Sequence, residues 1–577
     1  MKSSKYKTVK TDVLVIGSGG AGLRAAIELH DNNIDVLIVG KCTKRNAHTV
    51  LATGGINAAL KTMDKDDSWQ LHAADTIRDG GEINDTEAVI TLCKNAPQAV
   101  NELESWGADF HRENNGKITQ RFFGAATYRR ACFVGDQTGR SILNTLVDQV
   151  IKRNIKFHSE VYIFSLLKSN NKASSPVNGA IGIDIKTGTI IIYHTKSIIL
   201  ATGGFSRVFA RSSSRSFENN GDGIKLAYDV GVSFMDMEMF QFHPTGMVYP
   251  TQAEGILVTE AVRGEGGILT NANGERFMEK YDKERMELSA RDIVARAIYL
   301  EAKAGNATAR GGVYLDISHQ PKSYIKQRLP QMFEQFKKFC NIDISKQKME
   351  VAPTAHYSMG GILVDHTTGK TAVNNLYAIG EVTSGVHGAN RLGGNSLAEI
   401  IVFGRLTGNH VAHDVKNIHW LPLDRTQINQ KIATLTSNRG KNPIIIKTEL
   451  QKLMWENCGV ARNGKDLKKA LSNLQKYQKM NFKTGTPLKN NKKLIAALDV
   501  HAMIPTCELI LKSALARTES RGAHYRTDYP KTSKKWRKSI LCVPTKSSYT
   551  IKTKSIPSLP KELKMFMNKQ IKSHLLE

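Results

Sequence analysis

Unbroken apolar runs alternate with helical spacing along this chain. Near the N-terminus the run TDVLVI, Thr11–Ile16, reads as a buried strand. A glycine-rich turn follows, then helical apolar spacing over Ala21–His30, then a second run, IDVLIVG, ending at Gly40. That order predicts a β-α-β unit. A third run, SIILATGG, ends at Gly203–Gly204, and the polar stretch KSNNKASSPVNG, Lys168–Gly179, reads as a loop joining short strands. From Gln241 to about Val351 the pattern is mixed, with helical periods at Ile293–Lys303 and Tyr324–Phe339. Strand-like segments return at Gly361–Val364 and Leu376–Ile379, and helical spacing returns from Lys447 to Tyr477.

The expected fold class is therefore α/β: a two-part Rossmann-like nucleotide-binding domain, residues 1–240 and 351–415, interrupted by an inserted capping domain, 241–350. A C-terminal helical domain, 416–530, and a basic tail, 531–577, follow. A length of 577 residues suits such a multidomain plan. No uninterrupted apolar run approaches the ~18 residues of a membrane span, and the basic start MKSSKYKTVKTD lacks the apolar stretch of a signal peptide. The expectation is a soluble intracellular chain.

Seven cysteines are scattered without a CxxC pair, which argues against an iron–sulfur cluster, a structural zinc or a disulfide framework within the chain. Most are expected to be core thiols. The net charge is +28, and from Lys531 to Glu577 twelve Lys/Arg face only two acids. The tail reads as solvated, with docking onto an acidic partner or lipid as the alternative. Basic and aromatic residues do not interleave as in single-strand binders, so nucleic acid is not expected as a partner.

The turn after the first strand is Gly17-Ser18-Gly19-Gly20-Ala21-Gly22, a GxGxxG in the strand–turn–helix context that gives the motif meaning. Glycines let the backbone approach a pyrophosphate, and the helix start offers free N–H groups and the positive end of its dipole. The acidic ribose ligand expected after the second strand is absent, since Gly40-Lys41 stands there. Glu381, after LYAIG, is the candidate in its place. LATGG and LYAIGE are the two later strands expected when FAD occupies a two-part site.

Seven further segments carry a resemblance: AHTVLATGG, QFHPTG, LVTEAVRGEGG, ARDIVAR, AHYSMGG, GEVTSGVHGANRLGGNSLAE and ESRGAHYRTDYP. In that order, from about Thr11 to Tyr529, the chain resembles the succinate dehydrogenase/fumarate reductase flavoprotein family. The resemblance implies that His48 bonds covalently to the flavin 8α-methyl group. It implies that the turn Gly17 to Gly22, the segment Lys41 to Thr53 (with Lys41, Thr49 and, just beyond, Gly54), Asp222, Glu381, Ser396 and Leu397 hold the FAD. His243, Thr259, His356 and Arg391 match dicarboxylate ligands, and charge-assisted donors, above all a forked Arg, suit two desolvated carboxylates. Arg291 matches the family's proton donor and acceptor, with Glu260 and Arg263 as its relay. Thr53 stands where the family commonly has Gln or Glu, which leaves flavin potential and working direction open.

The activity implied is succinate dehydrogenase or fumarate reductase, moving a hydride between a C4 dicarboxylate and FAD. An L-aspartate oxidase-like soluble flavoenzyme is the alternative, with His48 and RLGGNS favouring the former. Without clusters of its own the chain cannot pass electrons onward itself, and the resemblance implies an iron–sulfur subunit together with membrane anchor subunit(s) exchanging with quinone. The resemblance then implies a peripheral position on the cytoplasmic face of a bacterial inner membrane or the matrix face of a mitochondrion, with the lack of an Arg/Ser-rich transit peptide favouring the bacterial case. No metal site is expected.

Overall fold

The computed structural model describes residues 6–170, 172, 174–546 and 548–567. Strand β1 (Lys7–Ile16) leads through the glycine turn into helix α1 (Gly20–Asp31) and strand β2 (Val36–Val39). Strands β3 (Lys156–His158), β4 (Val161–Lys168), β5 (Val177–Asp184) and β6 (Ile190–Leu200) complete a sheet of order β3-β2-β1-β6-β5-β4. β1, β2, β3 and β6 run parallel, while β4 and β5 form an antiparallel flap on β6. The polar loop after Lys168 joins β4 to β5, as its composition predicts.

β1 explains why its run is apolar without alternation. Val13 and Val15 enter one core with Leu23 and Ile27 of α1, whereas Leu14 and Ile16 enter a second core with Leu450, Met454 and Leu467. Both faces are covered, as in parallel sheets generally. β1 begins four residues earlier than its apolar run, because Lys7–Lys10 pair through main chain alone with Ile191–His194 while Lys7, Thr8 and Lys10 keep their side chains exposed.

A second sheet holds strands β7 (Phe240–Met247), β8 (Ile268–Thr270), β9 (Val313–Asp316) and β10 (Met349–Ser358) in the antiparallel order β7-β10-β9-β8. Helix α2 (Arg291–Lys303) packs on it, and Met247, Leu269, Val294, Leu315, Met332 and Val351 share its core. The helical period over Tyr324–Phe339 is two helices, Lys322–Arg328 and Pro330–Cys340. Pro330 breaks them: Leu329 before it has φ −135° and ψ 47°, outside the helical region.

After β10 the chain returns to the first sheet. Strand β11 (Leu376–Ala378) pairs in parallel with the C-terminal end of β6, and helix α3 (Asn395–Asp414) lies along α1. The helical period over Lys447–Tyr477 is helices α4 (Pro443–Cys458) and α5 (Gly464–Gln478), followed by α6 (Lys492–Ala516). Asn442, Asn463 and Asn491 cap the three, each side chain accepting a backbone N–H of the first turn, with Pro443 at the start of α4. α6 is long and apolar enough in composition to cross a membrane, yet 83% of its apolar window is buried in the protein, so it is a core helix.

The expectation of a solvated basic tail over 531–577 is corrected. Strands β12 (Lys538–Pro544) and β13 (Tyr549–Ser555) form a hairpin whose first strand pairs with Phe234–Met235, itself paired to Gly361–Ile362. Ile540 and Cys542 point inward and are buried, while the lysines of β13 stay outside. Period-two alternation hid behind the charge count. Helix Lys561–Met567 then seats Leu563 against Ala73, Ile77 and Cys93. Residues 568–577 of the expected tail lie outside the described residues. Five of the seven cysteines are buried, as expected of core thiols.

Candidate active site

One cleft gathers nearly all the residues singled out from sequence. It runs from the β1–α1 turn past the start of α3 to the base of β7 and β10, with an empty volume of about 1460 Å³ that includes open solvent at its mouth. Gly17, Ser18, Gly19, Gly20, Ala21, Lys41 and Thr49 line one end, and His48, Thr53 and Gly54 also line the cleft, Gly54 against the Phe123 ring that borders Gly393 beside Arg291. Asp222, Glu381, Ser396 and Leu397 line the middle, and His243, Thr259, Glu260, Arg291, His356 and Arg391 the other end. Gly22 and Arg263 stand behind the wall.

The nucleotide end is shaped by glycine. Gly17 has φ +120°, and a Cβ on it would sit 2.0 Å from the carbonyl oxygen of Ala201. A Cβ on Gly22 would sit 2.1 Å from the Gly17 carbonyl, so Gly22 lets α1 start hard against the turn rather than forming the cleft surface. The N-termini of α1 and α3 both open on the cleft and bring first-turn N–H groups and positive potential to it, Thr49 Oγ1 accepting the Gly20 N–H at 3.1 Å. Thr202 Oγ1 is buried on the same wall without a hydrogen-bond partner. These features fit an extended dinucleotide with anionic groups.

Lys41 ties the cradle to the helical region. Its Nζ donates to Asp222 at 3.0 Å and Asp499 at 2.9 Å, and Lys447 donates to the other oxygen of Asp499 at 2.7 Å. Burial opposes the charge on Lys41, but Asp222 and Asp499 override it and raise its pKa. Glu381 accepts from the N–H and Oγ of Ser358, both at 3.1 Å, and burial pushes its carboxyl up. His48 places Nδ1 2.9 Å from Glu218.

The opposite end concentrates cations. Arg391 lies 4.3 Å over the Tyr357 ring and donates Nη1 to Ser396 at 3.2 Å, while its buried Nε has no protein partner. Burial, then the charge of Arg291, brings Arg391 down to about 10. The rings of His243 and His356 meet edge to face at 5.2 Å. Nδ1 of His243 is engaged by Thr245 at 3.1–3.3 Å and Nδ1 of His356 by Ser213 Oγ at 2.9 Å, which leaves both Nε2 atoms for a ligand. Burial first, then the neighbouring charged and ring groups, hold both imidazoles well below the usual histidine range, so they are neutral donors at pH 7. Thr259 is buried beside them.

Arg291 is the first residue of α2 and donates Nε to Glu260 at 2.7 Å and Nη1 to Gln241 at 3.1 Å. Glu260 also accepts the Gly124 N–H at 2.9 Å. Burial works against its ionisation, yet Arg291 and Arg263 hold it down at about 2. Arg263 stands 4.0 Å from Glu260, an ion pair too long for a hydrogen bond, and burial lowers its own pKa.

Sequence reasoning did not single out Gln241, Tyr357, Asp499, Lys447 or Glu218. Gln241 carried a signal, since period two on a strand puts it on the face of His243. Tyr357 carried one too, standing next to His356 inside AHYSMGG, whereas Asp499, Lys447 and Glu218 reach the site by tertiary packing.

Two family models match: "FAD binding domain" over residues 12–397 and "Fumarate reductase flavoprotein C-term" over residues 447–569. The chain is 43% identical over 547 residues to one of the subunits of the fumarate reductase (CoM/CoB) of Methanothermobacter marburgensis, covering 94% of this chain and 98% of that one. It is 36% identical over 555 residues to the succinate dehydrogenase flavoprotein subunit of Coxiella burnetii, covering 91% and 93%. The FrdA chain of an E. coli quinol fumarate reductase superposes with a TM-score of 0.89 at 31% identity, covering 96% and 98%.

Proposed function

The chain belongs to the succinate dehydrogenase/fumarate reductase flavoprotein family, and from that premise we propose which of its residues do the chemistry. It is an FAD-dependent oxidoreductase subunit. The α1 turn, Lys41, Thr49, Gly54, Asp222, Glu381, Ser396 and Leu397 hold the FAD, with His48 as its covalent anchor. Bound there, FAD supplies hydride exchange with one carbon of a C4 dicarboxylate. Residues 241–350 cap the cofactor halves 1–240 and 351–415.

The observation that carries the reading is the cluster of donors at the β7–β10 end: Arg391 Nε, buried without a partner among the described residues, and the Nε2 atoms of buried His243 and half-buried His356, which their Nδ1 contacts leave for a ligand, with buried Thr259 in the same cleft. Arg391 and His356 bind one carboxylate and His243 and Thr259 the other. Closing these donors around two carboxylates excludes water and strengthens each charge-assisted bond. Arg291 delivers a proton to the dicarboxylate carbon in fumarate reduction and takes it back in succinate oxidation. Glu260, 2.7 Å away, is the first step of its exchange with solvent, with Arg263 beyond.

Succinate, fumarate and malonate are expected to perturb the flavin absorbance of the purified chain. Arg391→Met should abolish that response with FAD still bound. Arg291→Gln should keep the binding and lose about 10²–10⁴ in kcat. A wild-type chain that holds FAD yet ignores all three diacids sinks the reading.

For its electrons the chain is assigned an iron–sulfur partner subunit and, through it, a membrane anchor exchanging with quinone at the cytoplasmic face of a bacterial inner membrane. A second reading follows from the relative named for CoM/CoB, 43% identical: a thiol pair in place of quinone. Purification from native membranes and from the soluble fraction, with assay of the copurifying subunits against quinol and thiol donors, decides between them.

A further inference from the structure

Glu218 is a carboxylate that neither the nucleotide cradle nor the dicarboxylate end employs, yet it lies on the cleft wall against His48. Its Oε1 stands 2.9 Å from His48 Nδ1. It is held rigidly. Arg215 donates its backbone N–H and Nε to Oε1, each at 3.0 Å, and Nη2 to Oε2 at 2.7 Å. The same guanidinium donates to the carbonyl of Asn46 at 2.8 Å, two residues before His48. One arginine thus fixes both the carboxylate and the loop that carries the histidine. His48 Nε2 makes no hydrogen bond among the described residues.

A ring that donates Nδ1–H to a fixed carboxylate keeps its lone pair on Nε2 and cannot rotate freely. The electrostatics agree with the geometry. Burial pulls the His48 pKa down, but Glu218 outweighs it and lifts the imidazole above its ordinary value. Burial likewise opposes ionisation of Glu218, and His48 with Arg215 overrides it to hold the carboxyl at about 2.

We propose that Glu218 is a positioning residue for covalent attachment of the flavin at His48: it sets the tautomer and angle of the ring and stabilises the imidazolium formed when Nε2 is bonded. The inference rests on the assignment of His48 made above. In the step, Nε2 forms a bond to the flavin 8α carbon and that carbon loses one proton. The flavin takes up that proton and the two electrons, and so leaves the step reduced. Nδ1 keeps its own proton against Glu218. Hydride exchange with fumarate then reoxidises the flavin, so no other oxidant is required.

The test compares the full-length chain and its variants as purified from expressing cells. Total FAD is read from absorbance, and the covalent share from flavin fluorescence in denaturing gels. Wild type should carry covalent flavin. Glu218→Gln should bind the same total FAD with the covalent share reduced about 10- to 100-fold, the scale of loss when a metal-bound histidine loses its outer carboxylate partner. Glu218→Asp should recover part of it. A wild-type covalent share in Glu218→Gln overturns the role of Glu218 and leaves His48 standing. A wild type with bound FAD and no covalent share overturns the His48 assignment itself. Loss of all FAD from Glu218→Gln also overturns the proposal, since Glu218 would then serve the loop rather than the bond.

Discussion

His243 and His356 decide how the site answers to pH. Their pKa values are depressed by burial and then by the neighbouring charged and ring groups, so the free protein holds both rings neutral through the physiological range. A dianionic ligand reverses the balance and raises both values. Binding is then coupled to proton uptake, and diacid affinity should rise as pH falls through the ordinary histidine pKa of about 6.5 towards the depressed values of the free protein. Calorimetry in buffers of different ionisation enthalpy reads the uptake directly, and a binding heat that ignores the buffer contradicts it. At this scale the sequence showed what lies inside short contiguous strings. His243, His356, Arg291 and Arg391 each sit in one, and the cleft gathers all four. Gln241 was within reach, two residues before His243. Lys41–Asp499 was not, because 458 residues separate the partners and only packing joins them.

Helices α1 and α3 show how an element places a site. They lie close because α3 presents glycine to α1. A Cβ on Gly404 would sit 2.9 Å from the Ala21 carbonyl, and one on Gly408 2.8 Å from the Ala25 carbonyl. Those contacts are with backbone and cannot swing aside. Gly408→Leu should therefore cost about 1–3 kcal/mol of stability. It should also weaken FAD retention, since parting the helices parts the two N-termini that face the cofactor. Thermal unfolding and dialysis against FAD-free buffer measure both, with exposed His413→Ala unchanged in each as control. Element type was legible wherever apolar period was strong, as in β1 and α1. Boundaries were lost where main chain does the pairing, at Lys7–Lys10, and where one proline divides a continuous period, at Pro330.

The whole molecule keeps its excess charge mostly at the surface, but composition concealed that the basic C-terminal region is structural. Asp236 accepts the Ile540 N–H at 2.7 Å, and Arg517 donates to the Lys538 carbonyl at 2.9 Å while bonding Glu238 and Asp236. Truncation after Arg537 removes the hairpin and leaves Phe234, Asp236 and Arg517 without these partners. The truncated chain should lose several degrees of Tm and much of its soluble yield, as follows from stranding buried polar groups. Scanning calorimetry and expression tests check it, and an unchanged Tm would show the hairpin to be an ornament.

The wall of the cleft begins at Gly17 and ends at Ile400. A ribosome must therefore release some four hundred residues before any of them can close around a flavin. Until then the strands that will cradle it are a nascent chain with open edges, a substrate for chaperones rather than for FAD. Loading thus waits until synthesis has passed Ile400, and the tie of Lys41 to Asp499 moves a fully braced cradle later still.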